Sequence, residues 1–349
     1  MTARFLSFAA FAALGCALFQ PLRVRAADMA APYRVLRSDK VGGAGGWDYV
    51  YADAIHRRLY IPRSNRVTVF DLDTLARVGT IEDTPSVHGV AVDPWSDHAF
   101  CSGQPVVMWD ARSLVPLRRI EVAGSPDGIL FEPFTRRVYV LSHRAPNVTV
   151  IDPKNGAVVG TIDLGGAPEE AASDMRGRVY IDLENRNQVA VVDARTLSVT
   201  AKYSLDGKGG GPGGLAMDVR HRILFVCCRD PHTEVIMNAD DGSIIDTLPI
   251  GAGVDSTDFN PQTGECFSSQ RDGTLTIVKE DGPRRFHIEQ TVMTRPGART
   301  MAFDIESGRI FLVTAGIMPP TATEEAGARA NRRRLRMVPG SFTILEVGR

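Results

Sequence analysis

The sequence predicts an all-β protein: a seven-bladed β-propeller, four antiparallel strands to a blade, with the last blade closed by the N-terminal strand. Three observations predict it. One segment design recurs seven times, as "RRLYIPRSNRVTVFD" from 57, "DHAFCSGQPVVMWD" from 97, "VYVLSHRAPNVTVID" from 138, "GRVYIDLENRNQVAVVD" from 177, "RILFVCCRDPHTEVIMN" from 222, "GECFSSQRDGTLTIV" from 264 and "GRIFLVTAG" from 308. Each copy holds one aromatic at the same place: Tyr60, Phe100, Tyr139, Tyr180, Phe225, Phe267 and Phe311, spaced 40, 39, 41, 45, 42 and 44 residues apart. Short alternating segments at a fixed period of that size are the mark of propeller blades. Second, turn residues punctuate each copy. Asp-Pro-like pairs (Asp93-Pro94, Glu132-Pro133, Asn260-Pro261) precede aromatic strands, and turns such as "DPKNGA" and "NADDGS" follow the next strand; such residues mark strand ends. Third, beyond the first 26 residues no stretch keeps apolar positions at helical spacing.

The elements follow in chain order. Residues 1–26 read as a secretory signal: Arg4, an apolar run from Phe5 to Phe19, and Val24-Arg25-Ala26 ahead of Ala27 as a small-residue cleavage site. A membrane-spanning helix is the weaker reading, because a span needs about 20 apolar residues and this run stops at Gln20-Pro21. The expected location is therefore periplasmic or secreted, with no transmembrane segment. Ala13-Leu14-Gly15-Cys16 resembles a lipoprotein processing site, which makes anchoring through Cys16 the alternative. Residues 33–42, "YRVLRSDKVG", have the composition of an outer strand and stand just before the first repeat. Within each repeat four strands, A to D from the axis outward, are expected; in the third they fall at roughly 128–132, 136–142, 147–152 and 157–164. The seventh repeat supplies strand A near Met301–Phe303, B near Ile310–Val313 and C at "SFTILEV", and then the chain stops. Pairing 33–42 with that last strand completes the blade and removes two open sheet edges, which otherwise template aggregation. A single closed domain over 27–349 follows.

The 349 residues are 44% hydrophobic and 23% charged with a net charge of -1, enough for a large core and without the basic excess a nucleic-acid partner requires. Cys101, Cys227, Cys228 and Cys266 each sit in an expected strand and read as buried thiols rather than disulfides. No C-x-x-C, G-x-S-x-G, H-E-x-x-H or P-loop pattern occurs.

"RVYVLSHRAPNVTVIDPKNGAVVGTIDLGGAPEE" resembles the YVTN-type β-propeller repeat, with its aromatic-valine start, "VTVID" strand, "VVGTI" strand and closing Gly-Gly-x-Pro. The likeness covers nearly all of the mature chain. It departs in repeats two and five, where "VVMWD" and "EVIMN" stand for "VTVID". The resemblance implies the propeller fold and a secreted binding, surface or accessory role, without naming a ligand.

In a propeller the D-to-A connections and B-to-C loops open on one face, so the start of each inner strand rings the channel mouth. Counting back five positions from the turn residues Asp53, Asp93, Glu132, Asp174, Asp218, Asn260 and Asp304 gives Asp48, His88, Asp127, Glu169, Gly213, Asp255 and Arg299. Six of the seven are ionisable. Three readings compete. Asp127, Glu169 and Asp255 could hold a divalent cation, Ca or Mg, since hard cations take carboxylate oxygens. Crowded carboxylates with His88 could run acid–base chemistry. Or His88 and Arg299 neutralise the acids and the ring is structural. The B-to-C loops on the same face add His143, Arg144, Glu184, Arg229, Asp230, His232, Arg271 and Asp272, offering both charge signs to a small acid or sugar acid. The seventh such loop is an insertion at about 315–340 in which Arg329, Arg332, Arg333, Arg334 and Arg336 face Glu324 and Glu325, a net +3. It reads as a basic flap over the mouth or as a solvated excursion.

The function expected is an exported, monomeric binding or accessory protein that takes a small ligand, ion or protein partner at the channel-mouth face. The alternative is a metal-assisted hydrolase or lactonase similar in plan to gluconolactonase-type propellers, with inner-strand carboxylates on one cation.

Overall fold

Seven four-stranded antiparallel sheets follow one another along the chain in a computed structural model that describes residues 31–282, 284–318 and 336–349. The seven inner strands are Tyr51–Asp53, Val90–Asp93, Pro126–Glu132, Pro168–Ser173, Pro212–Asp218, Val254–Asn260 and Met301–Asp304. Each touches the next, and the last touches the first, so the blades close a ring. The third blade runs Pro126–Glu132, Arg137–Ser142, Val148–Asp152 and Ala157–Ile162, within two residues of the strands expected from turn signals. In the seventh, Thr343–Gly348 pairs with Arg309–Thr314 on one side and with Arg34–Lys40 on the other, Arg34 opposite Gly348 and Lys40 opposite Thr343. The N-terminal strand thus closes the blade at the far end of the sequence. Residues Pro32–Arg349 form one compact unit.

Local chemistry explains the strand ends. At every A-to-B turn the acid or amide that closes strand A accepts from the backbone N–H two residues on: Asp53 from Ile55, Asp93 from Trp95, Glu132 from Phe134, Asp174 from Arg176, Asp218 from Arg220, Asn260 from Gln262 and Asp304 from Glu306. All seven are buried. A buried carboxylate with donors on its own turn is satisfied locally, which offsets the cost of taking it out of water. Asp71, Asp110, Asp152, Asp193 and Asn238 do the same at C-to-D turns.

The seven aromatics on the B strands are almost wholly buried and pack between blades. Their hydroxyls, where present, reach across. Tyr60 donates to the Ala111 carbonyl, Tyr139 to Ala194 and Tyr180 to Ala239, each on the following blade. Cys101, Cys227, Cys228 and Cys266 are buried free thiols, as expected.

The signal segment 1–26, Cys16, Arg329, Arg332, Arg333, Arg334, Glu324 and Glu325 lie outside the described residues. The shoulders of the insertion are defined by an antiparallel bridge, Ile317 opposite Met337. Among the described residues no helix is long and apolar enough to cross a membrane.

Candidate functional site: an alternating charge ring at the channel mouth

Six of the residues read from the strand starts and two of those read from the loops meet in one closed circuit. Asp48 Oδ2 lies 2.8 Å from His88 Nδ1, which is 3.0 Å from Asp127 Oδ1. Asp127 Oδ2 is 3.0 Å from His143 Nε2, itself 3.1 Å from Glu169 Oε2. Arg229 Nη2 then donates to Glu169 Oε1 at 2.6 Å and to Asp255 Oδ1 at 2.7 Å. Arg299 pairs with Asp255 and reaches Asp48 at 3.6 Å, which returns to the start. Acid and base alternate throughout, so every carboxylate stands between two basic side chains.

The sequence explains who fills each place. Blade five has Gly213 where the others present a side chain, and a Cβ there would meet the Arg229 guanidinium at 2.6 Å. Arg229, from the end of strand B of the same blade (Ile223–Arg229), takes the vacated volume. Its Nη1 also donates to Glu184 Oε2 at 2.9 Å and its Nε to the Val254 carbonyl at 3.1 Å.

Electrostatics follow the geometry. Burial by itself lowers the pKa of His88, but hydrogen bonds and charge from Asp127 and Asp48 outweigh it and push the imidazole up to about 10. Hydrogen bonds to Asp127 and Glu169 raise His143 to about 10 against a smaller burial effect. Asp127 is held well below the usual carboxylate range by the two imidazoles, in spite of burial, and Glu169 is held down by His143 and Arg229. The acids thus favour the charged form of the two imidazoles, and the bases favour the charged form of Asp127 and Glu169.

The candidate cation set is divided by this arrangement. Asp127 and Glu169 converge on His143, with ligand atoms within 4.8 Å of one another, whereas Arg229 stands between Glu169 and Asp255. Arg144 is exposed and Arg271 is exposed beside the mouth; Asp272 is engaged in its own turn, accepting from Ala252 and Thr274.

Two spaces adjoin the ring. Outside it, a mouth cavity of about 640 Å³ is walled by Trp47, Asp48, His88, Arg271 and Arg299, with Ile317 and Met337 of the insertion's shoulders at its edge. Inside it, the channel opens to a cavity of about 320 Å³ lined in part by Glu169, Glu170, Tyr51, Thr257 and Asp258. Sequence reasoning missed this inner tier. Glu170 accepts from the backbone N–H of Leu215 and of Thr257 and from Ser256 Oγ, and Asp258 accepts from Phe303 N. Burial pushes Glu170 well up, and Asp258 and Asp182 to about 7. The signal was there to find: charges inside otherwise regular strands, as in "PEEAAS" and "VYIDL".

No protein-family model matches the chain. It is 21% identical over 193 residues to proteins named YncE from Salmonella typhi and Salmonella typhimurium, a match covering 52% of this chain. The match spans about half the length of those relatives, 54%. Among solved structures it is similar to the WD40 repeats of RRP9 (TM-score 0.72, 13% identity, 91% of this chain and 98% of that one). U3-55K gives a TM-score of 0.71 at 13% identity over 90% and 98% of the two chains. A chain of the Mitotic Checkpoint Complex gives 0.70 at 14% identity over 89% and 96%. At these identities the likeness concerns architecture alone, and it places the chain among seven-bladed β-propellers, a fold commonly used as a binding platform.

Proposed function

We propose that the chain is an exported YVTN-type propeller that binds a small anionic molecule, a carboxylate or a phosphate, in the mouth cavity, and performs no chemistry on it. One observation carries this reading: the cavity presents the exposed Arg271 beside Arg299 and His88, and of these three bases Arg271 is the one that the ring carboxylates do not engage. The Arg271 guanidinium makes no hydrogen bond or ion pair among the described residues, so its five donors are available to an oxyanion. Trp47 offers a flat apolar wall beside them.

Thermal-shift and calorimetric titrations with small organic acids, sugar acids and sugar phosphates test this. An acid that fits raises the melting temperature in proportion to the logarithm of its concentration over Kd. Arg271→Ala should weaken that acid at least tenfold and leave the melting temperature of the free protein unchanged. Equal binding by Arg271→Ala, or no response to any anion, overturns the reading. Export is tested separately by the mass of the mature N-terminus: a chain starting at Ala27 supports the signal, and a lipidated Cys16 supports the anchored alternative.

The metal-assisted hydrolase reading uses the same residues less well. Ca or Mg demands oxygen donors, yet Asp127 and Glu169 share an imidazole, and a cation reaching Asp255 would have to displace Arg229 from two carboxylates. Ligand affinity is expected to survive chelator treatment.

A further inference from the structure

The motif Asp-x-x-His-Arg occurs twice, at the A-to-B turns of blades one and five, as Asp53 to Arg57 and Asp218 to Arg222. The two copies do different things. In blade one the His56 side chain is 5% exposed and both ring nitrogens are taken, Nδ1 by Asp53 at 2.7 Å and Nε2 by Asp97 at 2.9 Å. That copy is a closed structural bridge. In blade five His221 is 42% exposed, and a single nitrogen, Nδ1, faces two carboxylates: Asp218 Oδ2 at 2.8 Å and Glu280 Oε2 at 3.1 Å. Its Nε2 makes no hydrogen bond among the described residues. Glu280 reaches in from blade six, where its backbone N–H is fixed to the Gly264 carbonyl at 2.9 Å. The side chains of Asp218 and Glu280 are 4% and 3% exposed, and Glu280 Oε1 is buried with no hydrogen-bond partner. An unpartnered carboxylate oxygen in the interior is costly.

We propose that Asp218, His221 and Glu280 form a binding site for a divalent transition cation of the zinc class, a clip between blades five and six on the face opposite the charge ring. The three donor atoms lie within 4.8 Å of one another. One imidazole nitrogen with two carboxylates is a donor set for borderline cations rather than for calcium or magnesium. Tetrahedral zinc with bonds of about 2.0–2.1 Å spaces its donors roughly 3.3 Å apart, and the His221 nitrogen, 2.8 and 3.1 Å from the two oxygens, lies within about half an ångström of that spacing from each. Its exposure leaves water the remaining coordination position. Binding of Glu280 through both oxygens, which makes the ion five-coordinate with the water, gives the second oxygen a partner. Two ionised carboxylates with a neutral imidazole carry a charge of -2, which one dication cancels. The Nδ1 proton of His221 leaves to solvent as the cation enters.

The test uses the full chain without a polyhistidine tag, stripped with a chelator, dialysed and titrated with zinc chloride by calorimetry. The expected result is about one equivalent bound at this site, with a higher melting temperature, and at least a tenfold loss of affinity in both His221→Ala and Glu280→Gln. Anomalous scattering at the zinc edge from crystals of the unaltered protein gives a readout that does not depend on how the variants fold, with a peak expected between Asp218 and Glu280. No zinc binding, zinc binding unchanged in the doubly substituted protein, or a zinc peak only elsewhere overturns the proposal and leaves the cluster as a protonated imidazole between two acids.

Discussion

Arg229 is the side chain on which most of the ring converges. It holds Glu169, Asp255 and Glu184 at once, and the first two are largely buried. Removing one partner of a buried charge pair leaves the other unpaired, which costs about 3–5 kcal/mol. Arg229→Ala is expected to lose stability on that order in urea denaturation. Gly213→Ala is expected to cost about 1–3 kcal/mol, because its Cβ would enter the guanidinium, and to cost little in an Arg229→Ala background. Additive effects of the two substitutions would refute the shared volume. The B-strand aromatics follow a similar logic. The hydroxyls of Tyr60, Tyr139 and Tyr180 each reach an alanine carbonyl on the next blade, whereas Phe100 and Phe311 precede blades that place Pro153 and Leu72 at that position. Tyr180→Phe, which breaks a 2.8 Å bond, is expected to cost about 1 kcal/mol, and Tyr60→Phe, at 3.5 Å, less than that.

At the level of the strand, the innermost element of each blade has one edge without a neighbouring strand, and its N–H groups need acceptors. Glu170 serves Leu215 and Thr257 on two further blades, and Asp258 serves Phe303. Buried acids thus stand in for missing ladder partners across the channel. Glu234, inside strand C of blade five (His232–Asn238), is a related case: it accepts from Cys227 Sγ at 3.5 Å, its other oxygen has no partner, and burial pushes it to about 7 from the ordinary 4.5. A carboxyl whose pKa is raised by folding keeps its proton in the native state where the unfolded chain has lost it. Stability therefore falls as pH rises from about 4.5 to about 7 and is flat beyond, by up to about 3 kcal/mol for this group. Glu234→Gln is expected to flatten that part of the stability profile, as followed by urea denaturation between pH 4.5 and 8. An unchanged slope would mean that the group is already ionised in the folded protein.

Over the whole molecule, closure depends on one strand. Arg34–Lys40 is the outer strand of the seventh blade, and its partner Thr343–Gly348 is the last strand of the chain. Tyr33 adds to the junction, with its hydroxyl donating to Glu265 at 2.7 Å on blade six and its ring against Phe267. Deleting residues 31–40 exposes the edge of Thr343–Gly348 and breaks the tie to blade six. The expected outcome is a melting temperature lower by 10 °C or more and self-association in size-exclusion chromatography, as an open edge recruits another copy. A truncated chain that stayed monomeric and equally stable would mean that the seventh blade holds with three strands.

Blade number, strand order and the closing strand were legible from residue order alone, because a repeat writes its turns and its aromatic into each copy and the pattern is local. The positions Asp48, His88, Asp127, Glu169, Asp255 and Arg299 were legible for the same reason: one offset from one turn residue locates all of them. Which base stands between which acids was not. His143 and Arg229 enter the ring from strand B ends, one through its loop and the other through the space left by Gly213, and no periodicity announces a side chain borrowed by another position. Only the tertiary structure decided that the mouth neutralises itself, that Glu170 and Asp258 serve backbone edges on other blades, and that two copies of Asp-x-x-His-Arg differ. The physical reason is range: turns and strand faces are set by neighbours a few residues away, while charge pairing and burial are set by groups far along the chain that meet only once the ring has closed.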